Sequence, residues 1–268
     1  MGHLTRETLF DVQIDAVTME ELIVLIDEKI KTNKPTHILG INADKINELQ
    51  QNDSLQQVVQ KAEIVHADGV SILLAAHLLN KQVPERIAGI DLMQWLLDLA
   101  QERQYTVYFL GAKEETVNKM KTKLLEYWPK LPVVGIRNGY FSESEWENVA
   151  LEIKESHPQL IFVGISSPKK EYVIDYLMNQ GIDAVFMGVG GSFDVLAEEI
   201  KRAPLWVQYC HLEWFFRMIQ EPRRLFKRYM FGNLKFLKLI ATEKIKAKKM
   251  ELLSKESGEQ KIWIKKKL

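Results

Sequence analysis

The stretch that decides the fold is LIFVGISSPKKEYVIDYLMNQGIDAVFMGVGG, which spans Leu160–Gly191. It begins with a short apolar run, continues with an amphipathic segment over Lys169–Gln180, and ends in a second apolar run, Ala184–Val189. Short apolar runs separated by helical periodicity are typical of parallel strands joined by crossover helices. The stretch therefore predicts a strand–helix–strand unit that closes on the glycine-rich turn Gly188–Gly191.

The same alternation extends over most of the chain. A first strand is predicted over Phe10–Ala16, and a capping box at Thr18–Glu21 opens a helix that runs to about Lys31. Further strands are predicted over His37–Ile41, Ile64–Ala67, Thr106–Leu110, Val133–Ile136 and Leu160–Ile165. Further helices are predicted over Ala43–Lys61, Val70–Leu79, Leu92–Gln104, Glu114–Trp128, Glu143–His157 and Phe193–Glu199. The fold class is therefore α/β, a mostly parallel, doubly wound sheet.

Charge divides the chain near Pro204. Residues 201–268 hold 18 Lys or Arg and 6 Asp or Glu, a balance of +12 in a chain with no net charge. Residues 205–240 are also rich in aromatic side chains interleaved with basic ones. We predict a core over 1–204 and a C-terminal helical, basic and aromatic appendage over 205–268, which after Thr242 is a frayed helix or disordered. Such charge suits phosphates, an anionic membrane or nucleic acid, and a solvated basic tail is the alternative.

Composition narrows the function classes. The hydrophobic fraction of 46% is enough for a sizeable core, and the single cysteine, Cys210, excludes a disulfide framework and fits a reducing compartment. The longest plain apolar run, about Ile72–Leu79, is too short to cross a bilayer. The six histidines lack ligand spacing and no Asp-x-Asp occurs, so we predict neither a metal site nor a cofactor.

Ligands of doubly wound sheets bind beyond the carboxyl ends of the strands, and two polar residues follow strands there. Asp68 suits a general base, but capping a helix that begins near Val70 is the better interpretation from spacing alone. Asn42 suits a group that holds sugar hydroxyls, with a helix N-cap at even odds. The glycines of Gly188–Gly191 suit either a diphosphate cradle or a tight strand–helix turn.

A series of segments carries a resemblance to a known family: Asn42, Ala67-Asp68-Gly69, Arg86–Leu92, Phe109–Gly111, Val163-Gly164, Ser167–Glu171, Gly188–Asp194, Arg202-Ala203-Pro204, Glu213-Trp214, Arg217, Glu221–Arg224 and Arg228-Tyr229. Each motif is weak alone, but in this order they are quite specific. Over roughly residues 8–240 the chain resembles the WecG/TagA/CpsF glycosyltransferases, family 26.

The resemblance implies an inverting, metal-independent transferase with a Rossmann-like core. Its donor would be UDP-N-acetylmannosamine, or alternatively another UDP-hexose or a UDP-uronic acid. Its acceptor would be polyprenyl-diphosphate-linked N-acetylglucosamine, in the synthesis of teichoic acid, capsule or exopolysaccharide. The protein would be cytoplasmic and peripheral on the inner face of the bacterial cell membrane. Its partner would be an anionic membrane surface and not nucleic acid, and a homo-oligomer is compatible with the resemblance.

The resemblance also assigns roles to residues. Asp68 would be the general base, and Arg217 and Arg224 would neutralise the leaving diphosphate in place of a metal ion. The substrate-binding residues would be Asn42, Gly40, Gly69, Gly111, Ser167, Lys170, Glu171, Gly188, Gly190, Gly191, Asp194, Arg202 and Arg228.

Three departures from the family pattern concern the donor sugar more than the reaction type. Gly40 stands where a threonine is usual, Lys170 where a glutamine is usual, and Glu198 where a glycine is common. Lys170 would favour an acidic sugar or a phosphate, with a solvent-facing lysine as the alternative. The competing function classes are a nucleotide or nucleic-acid binding regulator and a membrane-associated scaffold, and UDP binding distinguishes the transferase from both.

Overall fold

The computed structural model describes residues 5–267, without the side chains of residues 224 and 250–267. Six parallel strands form one sheet in the order β4-β3-β8-β7-β5-β6, and β1 and β2 form a separate antiparallel hairpin. The strands are β1 Arg6–Leu9, β2 Val12–Asp15, β3 Thr36–Ile41, β4 Ile64–Ala67, β5 Val107–Gly111, β6 Val133–Arg137, β7 Leu160–Gly164 and β8 Val185–Gly188. The predicted α/β class with a parallel sheet is confirmed.

Helices connect the strands of the sheet on both faces. They are α1 Met19–Lys31, α2 Ala43–Leu49, α3 Asp53–Lys61, α4 Val70–Leu78, α5 Gly89–Arg103, α6 Glu114–Tyr127, α7 Trp146–Glu155, α8 Lys169–Asn179, α9 Ser192–Leu196, α10 Leu205–Tyr209, α11 Glu213–Gln220 and α12 Pro222–Lys267. The predicted capping box is present at α1, where the Thr18 side chain accepts from the backbone N–H of Glu21 and the Glu21 side chain accepts from that of Thr18.

Two predicted elements were wrong in detail. The single strand over Phe10–Ala16 is part of a hairpin, because Phe10 and Asp11 adopt left-handed φ values of 52° and 63° and turn the chain back. The long helix over Ala43–Lys61 is two helices, since Asn52 caps a new one through its side-chain oxygen. The backbone of α12 is helical past Thr242, which agrees with the helical alternative of the prediction for this end.

The strand side chains alternate between two apolar layers. Phe109 and Phe162 point to the layer that includes α1, α5, α6 and α9, whereas Tyr108 and Ile161 point to the layer that includes α7 and α8. The neighbouring strands β3 and β8 are followed by helices on opposite faces, α2 on one and α9 on the other. A crevice therefore opens between the ends of β3 and β8, which is where open α/β sheets bind ligands.

The C-terminal helix α12 packs into the core with part of its length. Phe236 and Ile240 are buried in the same cluster as the hairpin and α2, and the Phe236 ring lies 5.3 Å from that of Phe10. The Asn47 side chain also donates to the carbonyl of Gly232 at 2.8 Å. This part of the residues that follow Pro204 is thus built into the core, while the division at residue 204 stays a prediction.

Candidate active site

Asp68 lies at the carboxyl end of β4 and is held by the segment that leads into α5. Its Oδ1 accepts from the backbone N–H of Gly89 at 2.9 Å, and its carbonyl accepts from Arg86 Nε at 3.0 Å. The interpretation of Asp68 as the cap of α4 was wrong, because Gly69 occupies the N-cap position of that helix. The first turn of α5 therefore orients the Asp68 carboxyl group.

Gly40 and His66 lie next to Asp68. A Cβ on Gly40 would come within 3.0 Å of Asp68 Cβ and 3.2 Å of His66 Cε1, so a larger residue would force one of them to shift. His66 is buried, and this burial lowers its pKa although the neighbouring Asp68 acts in the opposite direction. Gly40 thus provides the space that the Asp68 side chain occupies beside the buried His66 imidazole.

Asn42 stands beside Asp68, since Ile41 and Ala67, the residues that precede them, are paired across β3 and β4. Its Oδ1 accepts from the backbone N–H of Lys45 at 3.0 Å, so the helix-cap interpretation is confirmed. The cap uses the oxygen alone and leaves the amide nitrogen as a donor. Gly69 allows the chain to approach Asn42 closely, because a Cβ on Gly69 would lie 2.9 Å from Asn42 Cβ.

A buried ionic cluster lies beside these residues, between α2 and α8. The Lys45 ammonium pairs with Glu171, whose side chain is fully buried, and donates to Ser167 Oγ at 2.7 Å. Ser167 in turn donates to Glu48 at 3.0 Å. Burial, together with the nearby Lys170 ammonium, lowers the pKa of Lys45 to about 8. Burial raises the pKa of Glu171, but the charges of Lys170 and Lys45 more than offset this and the net direction is downward.

Lys170 connects this cluster to the glycine-rich turn. Its ammonium lies 3.6 Å from Glu171 Oε1, and its Cε lies 3.0 Å from the position that a Cβ on Gly188 would take. The Lys170 side chain is only 17% exposed, which contradicts the alternative of a solvent-facing lysine.

The turn Gly188–Gly191 is met from the other side by Arg217 of α11. Gly190 has a φ of +52°, a backbone conformation that favours glycine. The Arg217 guanidinium lies 2.8 Å from the position that a Cβ on Gly191 would take, and 3.9 Å from the Asp194 carboxylate. The structure thus places a cation from the C-terminal segment against the turn for which the sequence left a phosphate cradle and a tight strand–helix turn as alternatives.

The remaining residues that were predicted to bind substrate lie outside the contacts described above. Arg202 pairs with Asp91 and donates to Gln94 at 3.1 Å, and Arg228 pairs with Asp44 in the first turn of α2 at 2.8 Å. Gly111 has a φ of +146° and its missing Cβ allows β5 to approach Gly164 closely. Arg224 lies outside the described side chains.

Sequence reasoning missed Lys45 and did not assign a role to Arg86 or Glu213. Lys45 lies in the first turn of a helix, where nothing in the local sequence distinguishes a buried lysine from an exposed one. Arg86 and Glu213 are 127 residues apart, yet they form an ion pair at 2.5 Å beside Asp68. Only their place in the family motifs could have indicated that they meet.

Two further findings concern the residues whose side chains are described. Within that part of the chain, no group of three or more His, Cys, Asp or Glu side chains is arranged to hold a metal ion. Over the same residues, no helix combines the length and apolarity that a bilayer span requires.

Comparison with known proteins gives matches of two kinds. The model of the glycosyl transferase WecG/TagA/CpsF family matches residues 7–250. An N-acetylglucosaminyldiphosphoundecaprenol N-acetyl-beta-D-mannosaminyltransferase of Bacillus spizizenii strain W23 is 32% identical over 192 residues, which cover 72% of this chain and 74% of the relative.

Proposed function

Since the chain belongs to the WecG/TagA/CpsF family and is a glycosyltransferase, we propose that it transfers N-acetylmannosamine from UDP-N-acetylmannosamine to polyprenyl-diphosphate-linked N-acetylglucosamine. The donor sugar and the acceptor are those in the name of the Bacillus spizizenii relative. The observation that carries the proposal is the arrangement at the carboxyl edge of the sheet. Asp68 directly follows β4, and the turn Gly188–Gly191 with Arg217 lies at the end of β8, across a crevice.

Asp68 is the general base of the proposed reaction. Its carboxylate takes the proton of the attacking acceptor hydroxyl, whose oxygen forms a bond to the anomeric carbon of the donor. The bond from that carbon to the phosphate oxygen breaks, UDP leaves with the electron pair, and the configuration inverts. A positioned base of this kind contributes about 10²–10⁴ in rate.

The leaving diphosphate is stabilised by cations of the protein. Arg217 lies against the glycine-rich turn and Lys170 lies against Gly188, so both can meet phosphate oxygens without crossing the crevice. Guanidinium groups match phosphate geometry, and fixed charges aimed at a developing anion are among the strongest contributions to catalysis. Arg224 joins them in this proposal, which requires no metal ion.

We also propose that the reaction takes place at the inner face of the cell membrane, because the proposed acceptor is a lipid. Exposed aromatic side chains follow Pro204, among them Trp206 and Phe231, which are 67% and 70% exposed. Basic residues near an anionic membrane contribute about 1 kcal/mol each, and aromatic rings suit the headgroup level. We propose that this surface holds the enzyme against the membrane on which its acceptor lies.

A donor screen tests the proposal. The purified chain is incubated with a water-soluble, short-chain prenyl-diphosphate-N-acetylglucosamine and a panel of UDP-sugars, with and without EDTA. We expect UDP binding, transfer from UDP-N-acetylmannosamine, and the same rate with EDTA. Transfer from a UDP-uronic acid or another UDP-hexose instead would establish the alternative donors. Loss of activity in EDTA that Mg²⁺ or Mn²⁺ restores would contradict metal independence, and binding of nucleic acid without UDP binding would favour a regulator.

A further inference from the structure

A cavity of about 300 Å³ lies where the start of α5 meets α10 and α11. Its polar lining comes from Arg86 and Asp91 on one side and from Gln208, Tyr209, His211 and Glu213 on the other. This volume is at the lower end of the range for small-molecule sites, so it suits one sugar residue and not a lipid chain.

The cavity wall is the segment that holds Asp68. Arg86 lines the cavity and donates to the Asp68 carbonyl, and Gly89, which donates to the Asp68 carboxylate, lies between the lining residues Ala88 and Asp91. Ile87 extends this connection, because its backbone N–H donates to the carbonyl of Ala67 at the end of β4. A sugar in the cavity would therefore lie next to the group that we propose as the base.

The cavity also adjoins the proposed diphosphate site. Glu213 lines the cavity, whereas Arg217, one helical turn later on α11, lies against Gly191. The glycine-rich turn follows β8, which is two strands away from β4, or about 10 Å at ordinary strand spacing. Inversion requires that the nucleophile and the leaving group lie on opposite faces of the donor sugar. The cavity and the glycine-rich turn lie on either side of a space that is wide enough for one sugar ring.

The chemistry of the lining suits a hydroxylated ligand. Glu213 accepts from Arg86 and lies 3.7 Å from Arg202, so the two carboxylates of the lining are fixed by arginines and remain acceptors. Gln208, Tyr209 and His211 add side chains that both donate and accept. At the mouth, Leu205 is 68% exposed, which suits an attached isoprenoid.

We propose that this cavity is the acceptor-sugar subsite, in which His211 and Tyr209 bind the N-acetylglucosamine residue whose hydroxyl attacks the donor. The inference rests on the proposed function for the identity of the acceptor. It adds a site and two specificity residues that the family motifs do not include.

The test compares two histidines that both adopt the left-handed backbone conformation. His211 lines the cavity and has a φ of 57°, while His157 is exposed at the opposite end of the sheet and has a φ of 48°. Asparagine tolerates the left-handed conformation, so His211→Asn and His157→Asn should both fold. With the soluble acceptor, His211→Asn and Tyr209→Ala should each raise the acceptor KM about tenfold, the effect of one lost hydrogen bond, and leave the donor KM unchanged. His157→Asn should behave as the unsubstituted protein.

A binding measurement separates this proposal from the proposed function. In saturation-transfer NMR, the Asp68→Asn protein is mixed with UDP and the soluble acceptor. The signals of the acceptor N-acetylglucosamine should show contact with the protein, and adding His211→Asn to this variant should weaken that contact. Normal turnover with an unchanged acceptor KM in both cavity variants overturns the subsite alone. Absence of transfer from every UDP-sugar overturns the proposed function. In that case the NMR measurement alone decides the subsite: a contact that His211→Asn weakens supports it, and no contact overturns it.

Discussion

The carboxyl edge of the sheet and the C-terminal segment after Pro204 are built in opposite ways. At the sheet edge, the polar side chains are fixed by partners, as Asp68 is by Gly89 and Glu171 is by Lys45. Among the side chains of the C-terminal segment that the structure describes, most large apolar ones are exposed, while α12 buries Leu225, Phe236 and Ile240. The first region is preorganised, and the second is a largely exposed surface anchored at a few points.

This difference assigns the chemistry and the docking to separate regions. A base must be held within a narrow geometry, and the backbone around Asp68 provides it. Aromatic side chains that meet a membrane need less exact placement. Arg217 is the exception, because it belongs to the second region and lies against the glycine-rich turn of the first.

The largest expected effect is at Asp68. Asp68→Asn retains an oxygen that accepts from Gly89 but removes the base, so kcat should fall about 10²–10⁴-fold. UDP affinity and melting temperature should stay close to those of the unsubstituted protein. The matched control is Asp53→Asn, in the exposed first turn of α3, which should have full activity. Near-normal turnover of Asp68→Asn would show that its bond to Gly89 is purely structural.

The next largest effect is on stability, and it tests whether the two regions unfold independently. Phe236→Ala removes a buried ring that packs against Phe10, and such truncations cost about 3–5 kcal/mol of unfolding free energy. Chemical denaturation should therefore show a loss of stability in the whole protein, whereas Phe231→Ala, at an exposed position of the same helix, should have little effect. A core transition that Phe236→Ala leaves unchanged would instead support two independent units divided at residue 204.

The sequence predicted the sheet because its strands are continuous apolar runs bounded by glycine and polar residues. Every predicted strand after the first overlaps an observed one, since burial on both faces leaves a strong local signal. The hairpin was missed because the first of its two successive left-handed positions is Phe10, a bulky residue that is not typical there, although Asp11 is.

The site was less predictable because its contacts are distant in sequence. Spacing alone favoured Asp68 as a cap, and only the fold shows that Gly89, 21 residues later, holds the carboxylate. The ion pair between Lys45 and Glu171 joins residues 126 positions apart. The cavity could not be predicted, because three separate helices contribute to it.

Arg217 tests whether the C-terminal segment takes part in chemistry. Arg217→Ala should reduce kcat about 100-fold, corresponding to about 3 kcal/mol of transition-state stabilisation, and should weaken UDP binding. Arg137→Ala, which removes a cation from the opposite edge of the sheet, should leave both unchanged. If Arg217→Ala keeps full turnover on a soluble acceptor, the cation serves only to dock α11 onto Asp194, and the two regions have no shared chemistry.

Lys170 is expected to give the smallest effect and the most information about the donor. Its ammonium is largely buried beside Gly188, so Lys170→Met should lower kcat/KM for the preferred donor about tenfold, within the range for one hydrogen bond to a charged group. If Lys170 binds the diphosphate, the affinity for UDP alone should fall by the same factor. If it binds an acidic sugar, UDP affinity should be unchanged and only the UDP-uronic acid should lose activity. Lys170→Gln, which restores the usual residue of the family pattern, distinguishes charge from hydrogen bonding, because glutamine donates without the charge. A full rate for Lys170→Met with every donor would confine Lys170 to stabilising Glu171.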